Sequence, residues 1–201
     1  MKVPSLLAAS AAALLTGCGA STTIVTQWEA TADRGPPCVR MLVVGVTPNA
    51  SVRRVFEDEM VKVALARGVA GTPSHSLIPE DGAVVDARLA DAVRRAGVDC
   101  VLTTRVVLVA RRLEATPPPA AGGPPSGFYG WYGGAWGPAY AYPPQVVAHD
   151  SVYAEVRLFR VRPDELAWAA TTETFAPTDV RKESAAFAQL VFRQLAERKL
   201  I

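Results

Sequence analysis

The hydrophobic and polar positions along the chain change period several times, and each change marks an element. Val39 to Thr47 is an almost unbroken apolar run rich in valine, which predicts a strand covered on both faces. Pro48-Asn49 turns the chain, and Ser51 can cap a helix in which Val52, Val55, Phe56, Met60, Val63 and Ala64 share one broad face. Arg54, Glu57, Asp58, Lys62 and Arg67 occupy the rest, and Gly68 is the natural stop. A short strand is expected at Ser74–Ile78. A second helix follows from Val84 to Ala96, with Val85, Leu89, Ala92 and Val93 inward and Gly97 at its end. Cys100 to Leu113 is β-branched and reads as a long strand.

Farther on, Val146 to Val161 alternates strictly: Val152, Ala154, Val156 and Leu158 point one way, Ser151, Tyr153, Glu155 and Arg157 the other. Pro163-Asp164 signals a turn, and Leu166 to Phe175 returns with Leu166, Trp168 and Ala170 on one face, so the pair is a hairpin. A last helix from about Asp179 to Lys199 presents Val180, Phe187, Leu190, Val191, Gln194 and Leu195 along one side. Asp179 near its start and Arg198-Lys199 near its end suit the helix dipole. The order is βαβαβ, a loop, then ββα. It predicts an α/β fold, a mixed sheet of about five strands with three helices, over residues 38–201.

Two segments do not fit that domain. At the front, Lys2 precedes an apolar run from Leu6 to Leu15 broken only by Ser10. The run is shorter than the roughly 20 residues a permanent membrane helix needs, and has the length of a signal-peptide core. It ends in Leu15-Thr16-Gly17-Cys18, which resembles the bacterial lipobox. That resemblance implies a signal peptide over residues 1–17, cleavage before Cys18, diacylglycerol on the thiol and an acyl group on the freed amine. Gly19, where an aspartate would retain the protein, resembles the pattern exported to the periplasmic face of the outer membrane. Residues 18–37, with Gly35-Pro36-Pro37 at the end, read as a lipidated tether spanning about 25 Å as a loose coil. The strand-like patch Thr23–Trp28 offers an alternative, pairing with the sheet edge.

The other segment is the loop, residues 115–145. From Ala115 to Ala148 there is no Asp, Glu, Lys or Arg. Phe128, Tyr129, Trp131, Tyr132, Trp136, Tyr140 and Tyr142 place seven of the chain's fifteen aromatics among glycines and prolines. Three readings stay open. These side chains form a recognition surface for a protein or sugar rings; they dip into the headgroup zone beside the lipid anchor; or the loop folds back over the sheet.

Cysteine usage follows from the address. With Cys18 carrying lipid, Cys38 and Cys100 remain in a compartment where disulfides persist. Each sits at the entry of a predicted strand, and parallel neighbours would bring their Cα atoms to about 5 Å. A bond and two buried thiols are the alternatives. Charge excludes another class. Losing the leader removes only Lys2, leaving 20 basic side chains (21 minus 1) against 19 acidic, with no basic stripe for nucleic acid. Runs such as Arg53-Arg54, Arg94-Arg95 and Arg111-Arg112, and the acids Glu57-Asp58-Glu59 and Asp164-Glu165, read as solvated.

Candidate chemistry is sparse. His75 and His149 are the two histidines; neither Ser74-His75-Ser76 nor His149-Asp150 has partners at the spacing of a triad or a zinc site. Gly45-Val46-Thr47-Pro48-Asn49 is no phosphate loop. No catalytic residues, metal or cofactor are expected beyond the covalent lipid.

The segments Met41-Leu42-Val43-Val44-Gly45-Val46, Thr72-Pro73-Ser74, Gly97-Val98-Asp99 and Leu166-Ala167-Trp168, behind a lipobox, resemble small periplasmic lipoproteins with a domain of unknown function. More loosely they resemble the amino-terminal domain of TolB and the lipoprotein activators of penicillin-binding proteins. The resemblance implies a non-enzymatic module that contacts the membrane through its anchor and binds an envelope protein or peptidoglycan. The alternative is a structural subunit of an envelope complex, docking through an edge strand or the final helix.

Overall fold

A computed structural model describes residues 21–30, 35–79, 85–116 and 145–201, with no side-chain description at 114–116 and 145–146. The predicted signal peptide, Cys18 and the seven clustered aromatics lie outside the described residues. Among the described residues the architecture is a mixed six-stranded sheet with three helices, in keeping with the α/β class expected. The strands are β1 (Ser21–Glu29), β2 (Arg40–Val46), β3 (Ala70–Pro73), β4 (Cys100–Thr116), β5 (Gln145–Val161) and β6 (Asp164–Phe175). The helices are α1 (Ala50–Ala66), α2 (Asp86–Ala96) and α3 (Val180–Glu197). Sheet order is β1-β6-β5-β4-β2-β3; β2 runs parallel to β3 and β4, and the other pairings are antiparallel.

This order dictates where the helices go. The step from β2 to β3 and the step from β3 back past β2 to β4 run in opposite directions. Two right-handed crossovers therefore put α1 and α2 on opposite faces. Met41 and Val43 turn to the α1 face and join the main core with Leu102, Val156, Leu158 and Trp168, while Leu42, also fully buried, points to the α2 side. α3 lies beside α1 and adds Phe187, Val191, Phe192 and Leu195. α2 buries only Ala92.

Several local expectations are corrected. Asn49, not Ser51, caps α1: its Oδ1 accepts from the Val52 N–H at 3.0 Å. The third strand precedes Ser74 instead of starting there, because Ala70–Pro73 pairs with Arg40–Val43 and Ser74–Ser76 forms a 3-10 turn. Val85 and Leu89 are exposed, and Ala92 is the α2 side chain that is buried. Residues 18–37 are not a loose tether throughout. Ser21–Glu29 pairs antiparallel with β6, the alternative in which the Trp28 patch joins the sheet edge.

At one end the fold is tied several times. Cys38 and Cys100 form a disulfide with Cα atoms 6.0 Å apart, and the Cys38 N–H donates to the Leu200 carbonyl at 2.8 Å. Asp99 accepts from the Arg40 guanidinium at 2.9 Å, which holds its carboxyl below the usual carboxylate range. Arg160 donates to the Pro36 carbonyl beside it. At the other end β4 and β5 outrun every other described strand.

Candidate functional site

At that end, where β2 stops at Val46 and β4 runs on past Arg105, lies an apolar cleft of about 440 Å³. Thr104 and Val106 of β4, Val152 and Ala154 of β5 and Thr174 of β6 make its floor. Val52 and Phe56 of α1 form one wall, Val180, Ser184 and Phe187 of α3 the other. The Phe56 and Phe187 rings meet at 5.6 Å between centroids, tilted by 55°, so the two helices touch through aromatics on the cleft's lining. Val46, 56% exposed, and Val180, 47% exposed, stand at the rim.

The polar groups nearby are mostly engaged. Asn49 caps α1, and the Asp179 carboxylate caps α3 by accepting from the Lys182 N–H at 2.8 Å. Glu183 Oε1 accepts from the Thr178 N–H at 3.5 Å, a long contact, and its Oε2 is buried without a partner among the described residues. The described lining includes no histidine, cysteine or lysine. Such a site can hold apolar groups.

Gly45 sets how closely α1 approaches. A Cβ built there would lie 3.2 Å from Phe56 Cδ1, and the Gly45 N–H donates to Glu57 Oε1 at 2.8 Å. Glu57 is fully buried and anchors a polar cluster: Oε1 also accepts from Arg53 Nε at 3.1 Å and from the Ser74 hydroxyl at 2.6 Å, and Oε2 from the His75 N–H at 2.8 Å. Arg53 donates onward to Ser74 Oγ at 2.8 Å and to the Ile78 carbonyl at 3.1 Å. Glu59, also buried, accepts from Arg181 at 2.9 Å and so links α1 to α3. The expectation that Arg53, Glu57 and Glu59 belong to solvated faces is therefore corrected. Arg53, Glu57, Met60 and Ala64 form one stripe at helical spacing, and the sheet covers it.

The sequence-singled pairs do not assemble. His75 Nε2 faces Asp58 Oδ1 at 2.9 Å on the 3-10 turn after β3, while His149 lies on β5 against the Phe175 ring at 5.1 Å. Ser74 is fully buried beneath its ion pair, which removes it as a nucleophile. Among the described residues no group of three or more His, Cys, Asp or Glu could hold a metal, and no helix is long and apolar enough to cross a membrane.

The sheet face opposite the cleft carries a charged ladder. Glu155 accepts from Arg157 at 2.6 Å and from Arg105 at 2.8 Å, and these bonds hold its carboxyl below the usual range. Glu173 is lowered too, first by the Tyr153 hydroxyl and also by Arg112, 3.1 Å away.

No family model and no curated protein matches the chain. Solved structures do. A single-substitution variant of the PelC dodecamer from Paraburkholderia phytofirmans is similar at a TM-score of 0.42 and 13% identity, over 86% of this chain and 96% of that one. A second PelC dodecamer structure from the same organism gives 0.41 and 14%, over 83% and 91%. Lipoprotein GNA1162 from Neisseria meningitidis gives 0.41 and 12%, over 79% and 99%. At such values the likeness says nothing about the site, whose meaning rests on its own residues.

Proposed function

We propose that this protein is a bacterial envelope lipoprotein that works as a non-enzymatic binding module. In this reading it is cut before Cys18, carries diacylglycerol and an N-acyl chain on that residue, and faces the periplasm from the outer membrane. Its cleft seats an apolar segment of a partner protein. One observation carries the binding step: two exposed valines, Val46 and Val180, rim a cleft floored and walled by Val106, Val152, Val52 and Phe56. Such a lining rewards burial of aliphatic or aromatic side chains at about 25 cal/mol per Å². It offers few hydrogen bonds to a polar polymer, so of the two partners expected, protein is favoured over peptidoglycan.

A photo-crosslinker placed at Val46 or Val180 in the native envelope should give one defined protein adduct, lost on Val106→Asp and never obtained from Arg88 on α2. Smears alike from all three positions would sink the cleft as a binding site. Cys18→Ser should move the protein from the membrane to the soluble fraction; unchanged fractionation would remove the anchor.

The reading as a docking subunit keeps one observation of its own. Beyond Arg105, β4 has β5 on one side and no described strand on the other, and Val107, Leu108 and Val109 are about half exposed there. A long apolar edge of that kind invites pairing with another strand. The final helix is a poorer candidate, because α1 and the sheet already cover its apolar side.

A further inference from the structure

Strand register fixes which end of the sheet carries the start of β1. Ser21 lies beside Phe175, Phe175 beside Ser151, and Ser151 beside Ala110. From that level β4 and β5 continue as a pair through six further rungs, Arg111↔Asp150 to Thr116↔Gln145. At about 3.3 Å per residue this two-stranded ribbon extends roughly 20 Å past Ser21. Only Gly19 and Ala20 separate Ser21 from Cys18, so the linker reaches no more than about 10 Å. If Cys18 is held in a lipid surface, the sheet end cannot stand off far enough to keep an upright ribbon in water.

We infer that the β4–β5 ribbon is a second membrane contact, entering the headgroup zone of the same bilayer that holds the Cys18 lipid. The inference rests on the reading of Cys18 as lipid-bearing. The order of side chains along the ribbon suits it. Its first rungs are charged: Arg111 pairs with Asp150 at 3.1 Å, and Arg112 donates to the Tyr153 hydroxyl at 2.9 Å. The next rung outward presents Leu113, 70% exposed, and beyond it on β5 stands Val147, 42% exposed. Past Glu114 on one strand and Asp150 on the other, the sequence holds no Asp, Glu, Lys or Arg, so few charges resist leaving water. Past the charged base, Leu113 is paired with Ala148 and Ala115 with Val146, while Glu114 is paired with Val147 and Thr116 with Gln145, a mixture of apolar and polar rungs that suits the headgroup zone. Soluble proteins protect a two-stranded ribbon with charge or cover, and beyond Glu114 no charged residue continues this one.

The test uses the full, lipidated protein in vesicles of phosphatidylethanolamine and phosphatidylglycerol. Spin labels are placed by Leu113→Cys, Val147→Cys and, as the aqueous reference, Leu65→Cys on α1, which is 69% exposed. Labels at 113 and 147 should be open to oxygen and about tenfold less accessible than the reference to a water-soluble nickel chelate, as burial near the acyl boundary requires. Chelate accessibility equal to that at 65 overturns the inference. So does shielding that already exists in the Cys18→Ser protein in buffer, which would assign the ribbon to a contact between proteins. Intact mass separates the premise from the inference. An unacylated Cys18 sinks the anchor reading, yet vesicle-dependent shielding of 113 and 147 in that same protein would still show the ribbon meeting lipid.

Discussion

β4 passes through two environments, and the contrast between its halves organises the molecule. From Cys100 to Thr104 it lies between β2 and β5, with Cys100 and Leu102 fully buried. From Val106 onward β2 has ended, α1 has turned away, and four successive residues from Val106 to Val109 are about half exposed. Composition scarcely changes from Val101–Thr104 to Val106–Val109, both being β-branched or aliphatic; Arg111, Arg112 and Glu114 come only later in the strand. Exposure is therefore set by what the neighbouring elements do, not by the strand itself. The closed half belongs to stability; in the open half Val106 to Val109 form an apolar stretch that the other described elements leave about half exposed.

Mutations should separate the halves by size of effect. Trp168→Ala, at a fully buried position beside the closed half, should cost about 3–5 kcal/mol by denaturant unfolding. A loss below about 1 kcal/mol would mean that this end is not the core. Next, replacing Cys38 and Cys100 together by alanine opens a loop of sequence separation 62 and should cost about 2–4 kcal/mol. Val109→Ser, on the open half, should stay within about 0.5 kcal/mol in a thermal scan while reducing crosslinking or membrane contact. A large loss there would show the open half to be packed after all.

The smallest effect concerns acid. Glu155 is held below its ordinary range by Arg157 and Arg105, so its folded form binds the proton less readily than its unfolded form. The contribution is full above the unfolded value of about 4.3 and fades as pH falls through the lower folded value. Because the partner arginines are largely exposed, Glu155→Gln should remove only a few tenths of a kcal/mol, at about the level of a surface pair. The wild type and the variant should converge in stability once the pH has fallen through that lowered folded-state value; a difference persisting there would have another cause.

Much of the fold was legible because local periods report burial that the sheet then supplies. The valine run at β2, the alternation in β5 and the Phe187, Leu190, Val191 and Leu195 stripe on α3 met the partners their pattern required. Val180, however, stays exposed, and a register shift between Leu158 and Phe159 takes Leu166 off the Trp168 face of β6. The cysteine pair was legible in part: the two strands run parallel as expected, but the register pairs Cys100 with Met41, and Cys38, just ahead of β2, still comes within 6.0 Å of Cys100 between Cα atoms. Arg53, Glu57 and Glu59 were not legible, since a charged helix residue reads as solvated until its partners are known. Those partners, Ser74, the Gly45 N–H and Arg181, are far away in sequence. β3 was misplaced because Ser74–Ile78 looks extended between two prolines, whereas pairing with β2 claims the residues before Ser74. The cleft gave no signal of its own. Its valines and phenylalanines are ordinary core residues in sequence, and only the early end of β2 leaves them uncovered.

Gly45 shows how slight a change would redraw that surface. A single methyl group there meets the Phe56 ring at 3.2 Å and lies 3.5 Å from the Glu57 side chain. The Phe56 ring, or the helix that carries it, would have to give by a few tenths of an ångström, so the closeness of the seam between α1 and β2 depends on an atom this residue lacks.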